Sequence, residues 1–365
     1  MTEARFIDQT GTDATPIALW PALVIPRAVI ETEIERLAAL PAPASGRRSA
    51  LIVHPRAQEP GLGLAPGIRV SLNVLRPGEG TRPIRHNSTQ VDFCIRGGGR
   101  ALVGGRAIDF DQYDVWNTPS MAAYAIHNDR SELQVRLTYS NAALLEKMNV
   151  HVVEDEPVVA GMGTDRGAGP LLSPPPFAEA LTGEESAIRL TDDAYLMTYE
   201  QLINPRPVDS RPLHWPWRLV KARLDELVAL GKEYRGRRLY LLFNPATGRT
   251  NGTTHSFFAT ITIRPPRIVD RPHRHTSAAI NYYFAGRGRS TVEGERFEWG
   301  AGDLMFSAPG WGVHNHASHD EPVYELTIQD SPLNIAMESL LWQEDLKGPV
   351  AVLGSQTGFG TNRAV

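Results

Sequence analysis

Only one cysteine, Cys94, occurs in the 365 residues, so no disulfide can close within the chain. That fits a reducing compartment, and the expected location is the cytoplasm. No apolar run approaches the ~18 residues that a membrane span needs. The polar start, MTEARFIDQTGTDATP, lacks the apolar stretch of a signal peptide. Blocks of like charge are absent and the net charge is only −4, so neither nucleic acid nor a membrane is an expected partner. The glycine-rich stretch RGGGRALVGG lacks the Gly-Lys-Ser/Thr ending of a phosphate loop and reads as a hairpin. No Gly-x-Ser-x-Gly occurs to suggest a serine hydrolase. Cys94 lies on an alternating stretch and reads as packing rather than as a nucleophile.

Glycine (32) and proline (28), by contrast, are plentiful, which favours short strands and turns over a helical bundle. VIETEIERLAAL, within 17–40, has helical spacing and is followed by a proline. From about Ile68 the pattern alternates through IRVSLNVL, TQVDFCIRGGGRALVGGRAIDF, YDVWNTPSMAAYAIHND and ELQVRLTY, and LLEKMNV reads as a short closing helix. Residues 160–176 are Gly- and Pro-rich without periodicity and read as a linker. RLVKARLDELVAL, at 218–230, is an amphipathic helix pattern. LHWPWR, at 213–218, reads as a domain-packing segment, and the isolated His214 and His255 receive no role.

The strand pattern then returns in the same order. Arg85-His86 matches Arg274-His275, GGGRALVGG matches GRGRSTVEG, Asp114 matches Asp303, and His127-Asn128 matches His314-Asn315. The chain is therefore expected to be mostly β, with two small antiparallel jelly-roll barrels and a few peripheral helices. The expected divisions are a helical arm at 1–67, a first barrel at 68–155, a linker with a helix at 156–235, a second barrel at 236–345 and a tail at 346–365.

PHRHTSAAIN, at 272–281, carries the chemistry. Residues two apart on a strand share a face, so His273 and His275 both turn inward and Arg274 outward. His314, after GDLMFSAPGW, comes from a strand returning beside them, and the three together make a metal site.

The run H-R-H-T, G-x-G, V-x-G-x-x-F-x-W, G-D, P-x-W-x-x-H-x-H resembles the cupin superfamily. More narrowly it resembles the two-barrel gentisate and salicylate 1,2-dioxygenases, most specifically over 243–344 and more weakly from 68. The resemblance implies one Fe(II) per chain and O₂-dependent cleavage of a 2-hydroxybenzoate between its carboxyl- and hydroxyl-bearing carbons; this chain's own three histidines put the ion in the second barrel. It also implies a homo-oligomer, tetrameric or dimeric. The residues alone would equally accept Zn, Ni or Cu. The six positions after His275 hold no carboxylate, where many manganese cupins carry one. Three neutral imidazoles leave about three open positions, enough for a chelating hydroxy acid and O₂.

Two departures from the family follow. Its first barrel usually holds the working iron, yet here that position reads Ile84-Arg85-His86. Only His86 and His127 remain, with Asp129 in place of a further histidine, so the first site is expected to be degenerate, a carboxylate-assisted site of His86, His127 and Asp129 being the alternative. The family's arginine six residues after the pair is Asn281 here and Asp92 in the first barrel. Substrate contacts are then expected from Arg264, Arg267 and Arg271, from Asn281, from Arg289 on the next strand, and from Tyr283 and Trp311 by stacking or barrel filling. His316, two residues past His314, is the candidate acid/base. A metal-dependent decarboxylase, isomerase or lyase, or a non-catalytic two-barrel protein binding an aromatic acid, are the alternatives.

Overall fold

Alternation along Gln90–Arg96 serves two cores at once. Val91, Phe93 and Ile95 belong to one buried apolar cluster, while Cys94 belongs to another. A strand covered on both faces loses the polar-out pattern, and all but its last residue are buried. The computed structural model describes residues 4–16, 18–157, 187–191, 194–199, 203, 205, 208–231 and 237–356. The 160–176 linker lies outside the described residues.

In the first barrel a six-stranded sheet runs His214–Trp215, Val115–Thr118, Gln90–Arg96, Gln134–Ser140, Arg69–Leu75, Arg48–Ile52. Facing it is a five-stranded sheet, ordered Val153–Asp155, Ile84–His86, Tyr124–His127, Gly99–Val103, Arg106–Phe110. The second barrel repeats the plan. Its large sheet runs Leu23–Ile25, Leu304–Ala308, Ala279–Ala285, Val323–Gln329, Phe258–Arg264, Leu239–Leu241. Opposite it, Arg274–His275 pairs with Leu341–Gln343, and Arg287–Val292 pairs with Glu295–Gly300 and His314–Ser318.

The two large sheets pack back to back. Phe93 of the first lies 5.8 Å from Tyr282 and 5.6 Å from Phe284 of the second, ring centre to ring centre. Helices Arg27–Ala39 and Trp217–Ala229 seal this cluster with Ile30, Ile34, Leu37 and Leu224. Ala142–Lys147 is the short helix expected from LLEKMNV. The 1–67 arm, read as helical, also holds two strands: Arg48–Ile52 joins the first barrel and Leu23–Ile25 joins the second. His214–Trp215 in the linker likewise pairs with the first barrel. Gly104 and Gly105, at φ 54° and 81°, close a two-residue hairpin whose left-handed conformation suits glycine, as RGGGRALVGG suggested. Among the described residues, no helix is long and apolar enough to cross a membrane.

Candidate metal centre

His275 sits on a two-residue strand, and His273 bridges directly to His314 across the barrel mouth. The three side chains are buried, and their ligand atoms lie within 4.8 Å of one another. Each ring is fixed from behind by backbone. His273 Nδ1 donates to the Arg271 carbonyl at 3.2 Å, His275 Nδ1 to the Ser277 carbonyl at 2.9 Å, and His314 Nδ1 to the Gly312 carbonyl at 3.0 Å. A carbonyl oxygen can only accept, so each Nδ1 carries the proton and each Nε2 keeps a free lone pair. Burial, with the charges of neighbouring imidazoles and Arg237, holds His273 and His275 well below the usual histidine pKa. Burial likewise brings His314 down to about 4. Three neutral imidazoles with converging lone pairs fit a divalent ion. Among the described residues, no carboxylate joins the cluster.

These rings border a cavity of about 460 Å³. His316 lines it too. The Ser290 hydroxyl accepts the Trp299 indole N–H at 2.8 Å and hydrogen-bonds His316 Nδ1 at 2.7 Å. A hydroxyl can both donate and accept, so this contact orients the His316 ring in either tautomer.

The remaining sequence candidates divide. Arg264, Arg271 and Asn281 line the cavity. The buried Arg264 guanidinium is already taken by Glu325, at 3.0 and 3.2 Å, and by Asp270 at 3.0 Å. Asn281 donates to Thr327 at 2.8 Å and accepts from the Ser307 hydroxyl. Arg267, Arg289, Tyr283 and Trp311 are not cavity residues. Arg267 is exposed and pairs with Asp320 at 2.9 Å. Tyr283 lies flat on Trp299 at 3.6 Å in the barrel core, and Trp311 lies under the Arg274 guanidinium at 4.4 Å.

Register overturns one match. Ile84 pairs with Tyr124 where His273 bridges to His314. Val103 pairs with Tyr124 where Val292 pairs with His314, and Ala101 with Ile126 where Ser290 pairs with His316. The first-barrel counterparts of His273, His275, His314 and His316 are thus Ile84, His86, Tyr124 and Ile126. His127 corresponds to Ala317, three residues off the expected match, because the His-Asn dipeptides align in sequence and not in the sheet. Asp129 is half-exposed beside Arg130. His86 retains its serine clamp, with Nδ1 3.0 Å from the Ser88 carbonyl, but its Nε2 meets the Tyr124 hydroxyl at 3.3 Å.

Two neighbours escaped the sequence reading. Arg237 lines the cavity, and Trp342 stacks on His275 with ring centres 4.5 Å apart. Neither sits in a repeating pattern. Ser277 did carry a signal, since His-x-Ser occurs at both His86 and His275.

The AraC-like ligand binding domain profile matches residues 258–357, the second barrel. The chain is 25% identical over 322 residues to a 1-hydroxy-2-naphthoate 1,2-dioxygenase of Nocardioides sp. (strain KP7), covering 85% of this chain and 74% of that one. It is 25% identical over 272 residues to a 5-aminosalicylate 1,2-dioxygenase of Comamonas sp, covering 73% and 66%. In fold it is similar to the salicylate 1,2-dioxygenase of Pseudaminobacter salicylatoxidans, with a TM-score of 0.71 at 17% identity over 91% and 90% of the two chains. The doubled barrel, the three-histidine cluster and these relatives together support a likeness to the gentisate and salicylate 1,2-dioxygenases of the cupin superfamily.

Proposed function

We propose that this enzyme is a non-haem Fe(II) dioxygenase that opens the ring of a 2-hydroxybenzoate between its carboxyl- and hydroxyl-bearing carbons. His273, His275 and His314 are the proposed ligands, one ion per chain, in the second barrel. The observation that carries this reading is the cluster of three imidazoles with Nε2 lone pairs turned to one cavity, which among the described residues includes no carboxylate ligand. Relatives act on hydroxylated aromatic acids by name, and a related salicylate 1,2-dioxygenase has been solved with gentisate. Bound Fe(II) would supply a Lewis acid able to hold an anionic chelate beside O₂.

The chain's own residues supply the rest. Arg237, at the cavity wall, is the proposed partner of the substrate carboxylate, a contact that guanidinium makes bidentately. Arg271 adds positive charge at the same cavity. Arg264 instead neutralises Glu325 and Asp270, which removes bare carboxylates that would repel an anion. Asn281 and Thr327 offer polar contacts where the family's arginine is missing. His316, oriented by its 2.7 Å hydrogen bond with the Ser290 hydroxyl, is placed to give or take a proton at the substrate oxygen.

The test is anaerobic loading with Fe(II), metal quantification, and O₂ uptake with salicylate, gentisate and 5-substituted salicylates. About one iron per chain, lost in His273→Ala, with one O₂ consumed per substrate, is expected. Iron bound with no O₂ consumed on any of these acids would sink the proposal.

A further inference from the structure

The strand Leu341–Gln343 follows the second barrel and lies outside its large sheet, yet it pairs with the strand that carries His275. His275 and Trp342 are register partners. The indole therefore covers His275 at 4.5 Å and reaches His273 at 5.8 Å, nearly parallel to both rings. Its Nε1–H donates to Glu344 Oε2 at 3.0 Å. The same carboxylate receives Arg237 Nη2 at 3.1 and 3.4 Å. Arg237 arrives from another direction, two residues before the strand Leu239–Leu241, and lines the cavity. Glu344 is only 10% exposed and Arg237 27%. One largely covered carboxylate thus ties together the aromatic cover of two proposed ligands and a cation at the cavity.

We propose that Glu344 is a positioning residue, which holds the Arg237 guanidinium at the angle needed to receive the anionic group of the substrate. This rests on the reading that the substrate is an anionic hydroxy acid. Arginine is long and flexible, and fixing its planar fork before the ligand arrives lowers the ordering cost of binding. Trp342 supplies the second anchor of Glu344, so the strand after the barrel is part of the site rather than a passive tail. A simple structural clamp would lower stability on removal and leave ligand affinity alone. A positioning residue shifts affinity through Arg237 and through nothing else.

The experiment is isothermal titration of salicylate and gentisate into Fe(II)-loaded protein under nitrogen, followed by steady-state O₂ uptake. Wild type, Glu344→Gln, Arg237→Ala, the double variant and Trp342→Phe are compared. Glu344→Gln is expected to raise Kd and KM about tenfold with kcat within about threefold. The double variant is expected to be no worse than Arg237→Ala, since coupled residues are not additive. Trp342→Phe keeps the stacking and loses the N–H donor, so a smaller rise in Kd is expected. A wild-type Kd in Glu344→Gln, or strictly additive effects in the double variant, overturns the proposal even if the melting temperature falls. Wild type that binds the acids without consuming O₂ counts against the dioxygenase reading and leaves the positioning test intact. No binding of either acid to wild type removes both.

Discussion

At the scale of single residues, the cluster depends on who holds each Nδ1. His275 has two clamps, the Ser277 carbonyl and the Ser277 hydroxyl, each at 2.9 Å, and Ser331 donates to that hydroxyl at 2.9 Å. Ser277→Ala keeps the carbonyl clamp and loses the rest. About a tenfold weaker metal affinity is expected in competition with a chelator, with His86→Ala unaffected. An unchanged affinity in Ser277→Ala would mean that the carbonyl alone orients the ring. The buried imidazoles also set an acid limit. His314 lies at about 4 and His273, His275 and His316 lie well below 6.5, all chiefly through burial. Between pH 6.5 and about 4 the unfolded chain binds protons at these positions that the folded chain refuses. Metal-free protein should therefore lose stability as pH falls through that window, read as melting temperature against pH. His273 and His275 were legible in the sequence because period two on a strand is local, and His314 because GDLMFSAPGW reads as a strand and turn that returns beside them. Arg237 was not, since only the sheet register brings it to the cavity. His127 misled because a matching dipeptide outweighed an unseen three-residue offset.

Among the elements, the short helix Ser331–Ala336 and its first-barrel counterpart Ala142–Lys147 start from different residues. Asn141 accepts from the Thr89 N–H at 2.9 Å, and Asp330 accepts from the Ala278 N–H at 2.8 Å. One position holds an amide and the other a carboxyl, and burial pushes the Asp330 carboxyl up to about 7. Asp330 runs opposite to the histidines. Its folded form keeps a proton that the unfolded form sheds above about 3.8, so this contribution is present at low pH and lost as pH rises through about 7. Asp330→Asn retains the accepting oxygen and removes the charge. Its melting temperature relative to wild type should rise between about pH 4 and pH 7 and level off above. A difference that stays flat across this range would show that Asp330 carries no buried charge. The strands themselves were readable from alternation and glycine turns, as in Gly99–Val103 and Arg106–Phe110. Short strands without alternation, such as Leu23–Ile25 and His214–Trp215, were not, because three or two residues carry no period.

In the whole molecule, those illegible strands are what join the two barrels. Leu23–Ile25 completes the second barrel's large sheet, and the next element, Arg27–Ala39, packs on the first barrel. Thr89 meets Thr254 at 3.3 Å and Asn141 meets Ser256 at 2.9 Å across the interface. One apolar cluster spans both large sheets. The doubling of the barrel was evident from repeated sequence anchors, but a back-to-back core is a property of two distant surfaces meeting. The expected consequence is that the stability of the three-histidine cluster depends on a barrel that does not contain it. Phe93 is fully buried and touches Tyr113, Tyr282 and Phe284. Phe93→Ala should cost about 3–5 kcal/mol. If the barrels unfold as one unit, the temperature at which metal is released from the second barrel should fall by as much as the global melting temperature. Release followed with a chromogenic chelator, beside circular dichroism, compares the two. Metal retained at the wild-type temperature while first-barrel structure melts early would show that each barrel folds on its own core.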